Sequence, residues 1–230
     1  MKPLKFFLLL LPIVLGSASL GPSETLGNRI AHSNKVYGNQ ALLEYVGNLS
    51  GMFGFNIGIQ VAIDTTIGVR YEVTFEKGTA VTSHVAIFYK FSSPFQSITY
   101  NFLTHKSTVN KNGGSPDSDP NVEVIGNATV DNYLCTHLQH GGGTNEVSDY
   151  WMSPNVPGFS KLVNTLKTIS PDLPALAFSG TIFNWGGLVK WTENFVAEGE
   201  SMHMELHLKE ANTDIRLPSK TFEVPSQIKN

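Results

Sequence analysis

The feature of the sequence that most constrains the fold is a repeated alternation of apolar and polar residues. From Ile67 to Phe75 every second residue is apolar, and from Met202 to Leu208 the alternation is strict. A period of two is typical of β-strands with one buried face, and such segments recur about every ten residues between turns rich in Gly and Pro. The pattern predicts a mainly β fold, an antiparallel β-sandwich or barrel, with one or two short helices. One helix is predicted over residues 158–169, where apolar residues recur at helical spacing.

The N-terminus has the pattern of a secretory signal peptide. Two lysines precede the apolar run Phe6–Leu15, and the small residues Gly16 and Ala18 follow it. This run is too short to span a bilayer, which needs about 20 apolar residues. We therefore predict a signal peptide at 1–19 and a secreted, extracellular product with no transmembrane segment in the mature chain. The remainder, 20–230, is predicted to be a single β-rich domain that begins with a loose polar leader, residues 20–38.

The composition excludes several classes of protein. The chain has 230 residues, 41% of them hydrophobic, so it has enough apolar mass for a core and is not disordered. Its net charge of -3 gives no basic surface, so nucleic acid is not a predicted partner. Cys135 is the single cysteine, so it has no partner for an internal disulfide, and a buried thiol is its simplest interpretation.

Two sequons are candidate sites of N-glycosylation. They are Asn48-Leu49-Ser50 and Asn127-Ala128-Thr129, and both match N-x-[ST] without proline. A glycan cannot be buried, so glycosylation in a secretory pathway requires that both asparagines lie at the surface.

The polar face of one predicted strand carries the best candidate metal site. Strict alternation places His203, Glu205 and His207 on the same face, with backbone spacings of about 6.6–6.8 Å between successive members. Two imidazoles and a carboxylate are ligands that zinc accepts, so a metal-dependent enzyme is one functional hypothesis. The alternative is a solvated polar face with no metal. No other cofactor is predicted.

The segment from residue 41 to residue 63 is apolar, rich in glycine and nearly free of charge. One interpretation is buried structure, with a helix over Gln40–Val46 followed by a buried strand over Phe55–Ile63. The other is a segment that detaches from the body of the protein and enters a membrane, as in a pore-forming toxin. The polar residues Asn48 and Asn56 make spanning costly, so the buried interpretation is favoured.

Part of this region resembles a known family of toxins. Residues 42–78 are similar to the start of actinoporin-type cytolysins, and the similarity includes Val61–Asp64 and Phe75–Thr79. It covers less than a fifth of the chain. The resemblance implies an N-terminal amphipathic helix followed by an apolar strand on a β-sandwich. It also implies a membrane-active protein that uses residues 41–63.

Aromatic residues give the remaining functional hypothesis. Trp151, Trp185 and Trp191 are candidates for an aromatic binding surface, although aromatic residues in strands more often belong to a core. The sequence thus favours a secreted non-catalytic binding protein for a small hydrophobic molecule, a glycan or a partner surface. The alternatives are a pore-forming toxin acting on a membrane surface and a metal-dependent enzyme.

Overall fold

The computed structural model describes residues 38–51, 54–91, 97–110, 122–143, 146–169, 182–197 and 199–226. The predicted signal peptide and nearly all of the predicted leader lie outside the described residues. The described chain forms eleven strands: β1 Gln40–Ser50, β2 Phe55–Asp64, β3 Gly68–Lys77, β4 Ala80–Lys90, β5 Ser97–Asn101, β6 Lys106–Asn110, β7 Glu123–Val130, β8 Tyr133–Gly143, β9 Glu146–Ser153, β10 Gly187–Ala197 and β11 Glu200–Asn212. It also forms the α-helix α1, Phe159–Ile169, and two short 3-10 helices, Ile182–Trp185 and Ser219–Phe222.

The strands form one antiparallel sheet. Its order is β6-β5-β4-β3-β2-β1-β11-β10-β9-β8-β7. Strands adjacent in the chain are also adjacent in the sheet, except for β6 and β7, which lie at its two edges, and the first strand, β1, pairs with the last, β11. This pairing joins the half formed by β1–β6 to the half formed by β7–β11. The predicted mainly antiparallel β fold with one or two short helices is confirmed.

One face of the sheet, which we call the inner face, carries the main hydrophobic core. The alternating side chains of β1–β3 and of β9–β11 provide most of it, including Tyr45, Val73 and Leu206. Helix α1 packs against β2, β3 and β4 and buries Leu162 and Leu166 in the same core. The predicted helix at residues 158–169 is therefore confirmed, and its apolar stripe is what attaches it to the sheet.

Helix α1 is held close to β1 by the glycine that precedes it. Gly158 has φ +80°, a backbone conformation that favours glycine, and a Cβ atom there would lie 2.8 Å from the Cβ of Ala41. Lys161 on the first turn donates a hydrogen bond of 3.2 Å to the backbone oxygen of Gln40. The start of the helix is therefore fixed to the start of the first strand.

The opposite face, which we call the outer face, is covered over part of β1 and β2 by the C-terminal segment 213–226. Ile215, Leu217 and Phe222 of this segment pack against Leu42 and Ala62. Because β1 is covered on both sides at this point, Leu42 and its neighbour Leu43 are both buried, although they point to opposite faces.

This double coverage corrects one sequence-based prediction. The predicted helix over Gln40–Val46 is wrong, because these residues belong to strand β1 in the middle of the sheet. A strand with two buried faces gives a continuous apolar run, which periodicity does not separate from a buried helix. The N-terminal helix implied by the actinoporin resemblance is wrong for the same reason. Residues 41–50 of this segment belong to β1 and residues 55–63 to β2, and most of their side chains are buried.

A buried group of ionisable residues lies on the outer face beneath the C-terminal segment. Glu72 on β3 forms an ion pair with Arg70 on the same strand and a hydrogen bond with the His84 ring on β4. Arg70 also donates a hydrogen bond of 3.3 Å to the backbone oxygen of Thr221. The His84 ring stacks on Phe102 with a centroid distance of 4.1 Å. This charge cluster (Arg70, Glu72 and His84) therefore links two central strands to the segment that covers them.

No helix within the described ranges is long and apolar enough to cross a membrane.

Candidate functional site

A cleft of about 360 Å³ lies at the hairpin between β10 and β11. We call it the hairpin cleft, and its volume falls within the roughly 300–1,000 Å³ typical of small-molecule sites. Its lining residues come from β1, β10 and β11, and they are Ser50, Asn194, Phe195, Val196, Ser201, Met202 and His203.

The register of three neighbouring strands brings these residues together. His203 on β11 lies opposite Ser50 on β1 and opposite Asn194 on β10. Phe195 and Met202 form the next cross-strand pair toward the hairpin turn. Residues 153 positions apart in the chain therefore meet because the first and the last strand pair.

The lining combines apolar and polar residues. Phe195 and Met202 turn their side chains into the main core on the inner face, whereas Val196, on the same outer face as Asn194 and His203, has an exposed apolar side chain. On the polar side, His203 Nδ1 lies 2.8 Å from Asn194 Oδ1. Ser50 Oγ donates a hydrogen bond of 3.2 Å to the backbone oxygen of His203. An exposed apolar side chain beside fixed polar groups gives the cleft both kinds of contact that a small-molecule site uses.

The three predicted zinc ligands do not converge on one point. Glu205 Oε1 accepts hydrogen bonds from Lys190 Nζ at 2.6 Å and from His207 Nε2 at 2.8 Å. His207 Nδ1 lies 3.2 Å from Asp131 Oδ2, whereas His203 pairs with Asn194. Within the part of the chain that the structure describes, no group of three His, Cys, Asp or Glu side chains is arranged to hold a metal ion. The zinc hypothesis stays a prediction.

The hydrogen bonds around Glu205 keep its carboxylate ionised. The bonds from Lys190 and His207, together with the positive charge of Lys190, lower the pKa of Glu205 to about 2. The carboxylate is therefore charged throughout the neutral range and engaged by its neighbours on the outer face. This arrangement accounts for the conspicuous His-Glu-His pattern as a set of cross-strand contacts.

The three tryptophans do not form one surface. Trp191 lies in the inner core, where it stacks on Tyr150 with a centroid distance of 5.7 Å. Trp151 follows Tyr150 on β9 and so points to the opposite face, where it stacks on His137 at 4.5 Å. Trp185 lies in a short 3-10 helix and is exposed. The residues of the predicted aromatic surface are therefore distributed over three environments.

The sequons and the cysteine lie where their chemistry requires. Asn48 on the central strand β1 and Asn127 on the edge strand β7 are both exposed, so either position has room for a glycan. Glycosylation itself stays a prediction. Cys135 is a buried free cysteine, and burial raises the pKa of its thiol.

A second, larger cleft of about 570 Å³ lies near the start of β1. Gln40 in its wall is engaged structurally, because its side chain donates to Asp64 Oδ2 at 2.8 Å and accepts from the backbone nitrogen of Leu217 at 2.9 Å. Its walls carry two exposed cationic side chains, so it suits an apolar ligand less well than the hairpin cleft. The lining residues are Asn39, Gln40, Ile67, Arg216, Leu217, Pro218, Ser219 and Lys220.

Sequence reasoning finds one residue of the hairpin cleft and misses its partners. Strand alternation singles out His203, whereas Ser50 and Asn194 carry no local pattern that connects them to it. The cross-strand register is what brings these residues together, and it depends on the pairing of β1 with β11.

The solved structures that match this chain do so with low sequence identity and TM-scores below 0.5. An uncharacterized conserved protein from Thermus thermophilus matches 85% of this chain and 88% of its own, with 9% identity and a TM-score of 0.42. A DUF1329 family protein from Desulfovibrio piger matches 81% of this chain and 90% of its own, with 8% identity and a TM-score of 0.35. A LolA superfamily protein from Nitrosomonas europaea matches 87% of this chain and 98% of its own, with 10% identity and a TM-score of 0.30. The function proposed below therefore rests on this chain's own residues.

No curated protein matches the chain by sequence. One protein family matches residues 95–228, which is more than half of the 230 residues and includes β5–β11 and helix α1. The chain therefore belongs to the family described as "Domain of unknown function (DUF4412)".

Proposed function

We propose that this protein is a secreted, non-catalytic binding protein whose ligand is a small hydrophobic molecule with one polar end. The ligand occupies the hairpin cleft. The observation that carries this proposal is an open cleft on the outer face in which the exposed apolar side chain of Val196 lies among four polar residues, Ser50, Asn194, Ser201 and His203.

The energy of such binding comes from apolar burial. A ligand that removes about 200 Å² of apolar surface from water gains about 5 kcal/mol, before the cost of immobilising it. The strand backbone fixes the lining residues, so the cleft is ordered in advance and little additional ordering opposes binding. The polar residues at one side orient the ligand by accepting or donating hydrogen bonds.

The secreted location is supported by the sequence. The signal-like pattern at residues 1–19 predicts export, and the exposed Asn48 and Asn127 are compatible with a glycosylated product. N-terminal sequencing of the protein recovered from the medium tests the first statement, and a mass shift on endoglycosidase treatment tests the second.

Binding is tested with the neutral fluorescent probe N-phenyl-1-naphthylamine. The wild-type protein is expected to bind the probe with enhanced fluorescence. Val196→Asp replaces the exposed apolar side chain of the cleft with a carboxylate, so the affinity is expected to fall roughly tenfold or more, because a ligand would bury that charge.

Val109→Asp is the matched control for this substitution. Val109 is 47% exposed and Val196 is 40% exposed, but Val109 lies on the edge strand β6, away from the cleft. It is expected to bind the probe as the wild type does. Equal affinity in both variants, or no binding by the wild type, contradicts the proposal.

A further inference from the structure

We infer that the polar end of the ligand is a neutral hydroxyl group, and that His203 Nε2 is the atom that recognises it. This inference rests on the proposed function and specifies the ligand class of the same cleft. It separates long-chain alcohols and related hydroxyl-bearing molecules from fatty acids, which share the apolar body but carry a carboxylate.

The charges around the hairpin cleft disfavour an anionic ligand. None of the lining residues is an aspartate, glutamate, lysine or arginine. Glu205 follows His203 on the same face of β11. The Lys190 ammonium is already paired with Glu205 at 2.6 Å. A carboxylate placed in the cleft would therefore lie near the Glu205 carboxylate and would find no lysine or arginine in the lining.

The hydrogen bond between His203 and Asn194 determines what His203 offers a ligand. An amide oxygen only accepts hydrogen bonds, so His203 Nδ1, at 2.8 Å from Asn194 Oδ1, carries the hydrogen. In the neutral imidazole, Nε2 then has a free lone pair and accepts a hydrogen bond. Among the described residues, no hydrogen-bond partner contacts His203 Nε2. The ring therefore offers a hydrogen-bond acceptor to a ligand that donates.

A hydroxyl group satisfies this site in a way that an ether or a carboxylate does not. It donates its hydrogen to His203 Nε2, and its oxygen accepts from the exposed hydroxyl of Ser201, which also lines the cleft. An ether of the same length accepts but does not donate. An ionised carboxylate also has no hydrogen to donate, and it adds an uncompensated charge.

The test compares three ligands with the same ten-carbon chain at pH 7.5: 1-decanol, decyl methyl ether and decanoate. Each competes with N-phenyl-1-naphthylamine for the wild-type protein. We expect 1-decanol to bind about two- to tenfold more tightly than the ether, which is the range of one neutral hydrogen bond. Decanoate is expected to bind roughly tenfold or more weakly than 1-decanol. Decanoate binding as tightly as 1-decanol overturns the inference.

His203→Phe tests the recognising atom, because phenylalanine keeps an aromatic ring but has no lone pair. The preference for 1-decanol over the ether is expected to disappear, while the ether binds as it does to the wild type. Val109→Asp should keep the full preference. A His203→Phe protein that retains the preference overturns the assignment to His203.

A second variant covers the case in which His203→Phe does not fold. Asn194→Ala removes an exposed side chain and with it the hydrogen bond that fixes the ring, so the preference for 1-decanol is expected to weaken. An unchanged preference overturns the assignment.

The outcomes also separate this inference from the proposed function. If no ten-carbon ligand displaces the probe, the proposed function fails and the inference fails with it. If decanoate is preferred and its binding is still lost in Val196→Asp, the hairpin cleft remains a binding site and only the neutral head group is wrong.

Discussion

Replacing Glu72 with leucine is expected to lower the free energy of unfolding by about 3–5 kcal/mol, because it removes one partner of a buried ion pair. Arg70 and Glu72 are 8% and 4% exposed, and His84 is 1% exposed. Glu72→Leu leaves the guanidinium of Arg70 in this buried position without its carboxylate. Urea unfolding followed by tryptophan fluorescence measures the loss.

The triple variant Arg70→Met, Glu72→Leu, His84→Phe is the informative control. It removes all three members of the charge cluster and replaces them with apolar groups of similar size, so no charge is left buried. Its stability is expected to lie within about 1–2 kcal/mol of the wild type, and well above that of Glu72→Leu.

A second control addresses surface charge alone. Glu223→Leu removes an exposed acid of the C-terminal segment and should change the free energy of unfolding by no more than about 0.5 kcal/mol. If Glu72→Leu is as stable as Glu223→Leu, the charge cluster does not have the role assigned to it.

Gly47→Val is expected to destabilise the protein by about 3 kcal/mol, because it inserts a side chain where two strands already touch. Gly47 on β1 lies opposite Leu206 on β11. A Cβ atom at this position would overlap the backbone oxygen of Glu205 and lie 2.8 Å from the Cα of Leu206. Backbone atoms of a central strand cannot move away without breaking hydrogen bonds. Because β1 and β11 join the two halves of the sheet, the damage is expected to affect the whole fold.

Gly58→Val is the matched control for this substitution. Gly58 lies on β2, one strand away, and a Cβ atom there would meet nothing within 4 Å. Valine favours extended backbone, so this variant is expected to be as stable as the wild type or slightly more stable. Urea unfolding of both variants decides the question, and similar losses in the two proteins would contradict the assigned role of the β1–β11 joint.

Local patterns in the sequence are sufficient for the elements whose two faces differ. The alternation at Ile67–Phe75 predicts β3, and the strict alternation at Met202–Leu208 predicts β11, because each has apolar residues on the inner face. Helix α1 is predictable for the same kind of reason, since its apolar stripe meets the sheet and its polar side meets water.

Elements that depend on distant parts of the chain are not predictable in this way. Strand β1 resembles a helix in sequence because the C-terminal segment covers its outer face at Leu42, and that coverage is not encoded near residue 42. The hairpin cleft has the same origin. Ser50 reaches His203 through the β1–β11 pairing, and the hydrogen bond from His203 to Asn194 follows from the register of β10.

Binding of a small hydrophobic ligand in the hairpin cleft is tested most directly by a backbone NMR titration. The assigned full-length mature protein is titrated with N-phenyl-1-naphthylamine. The largest shifts are expected on the amides of Ser50, of residues 194–196 and of residues 201–203. Saturable shifts centred on the larger cleft at Gln40 and Leu217, or no shifts at saturating probe, would contradict binding in the hairpin cleft.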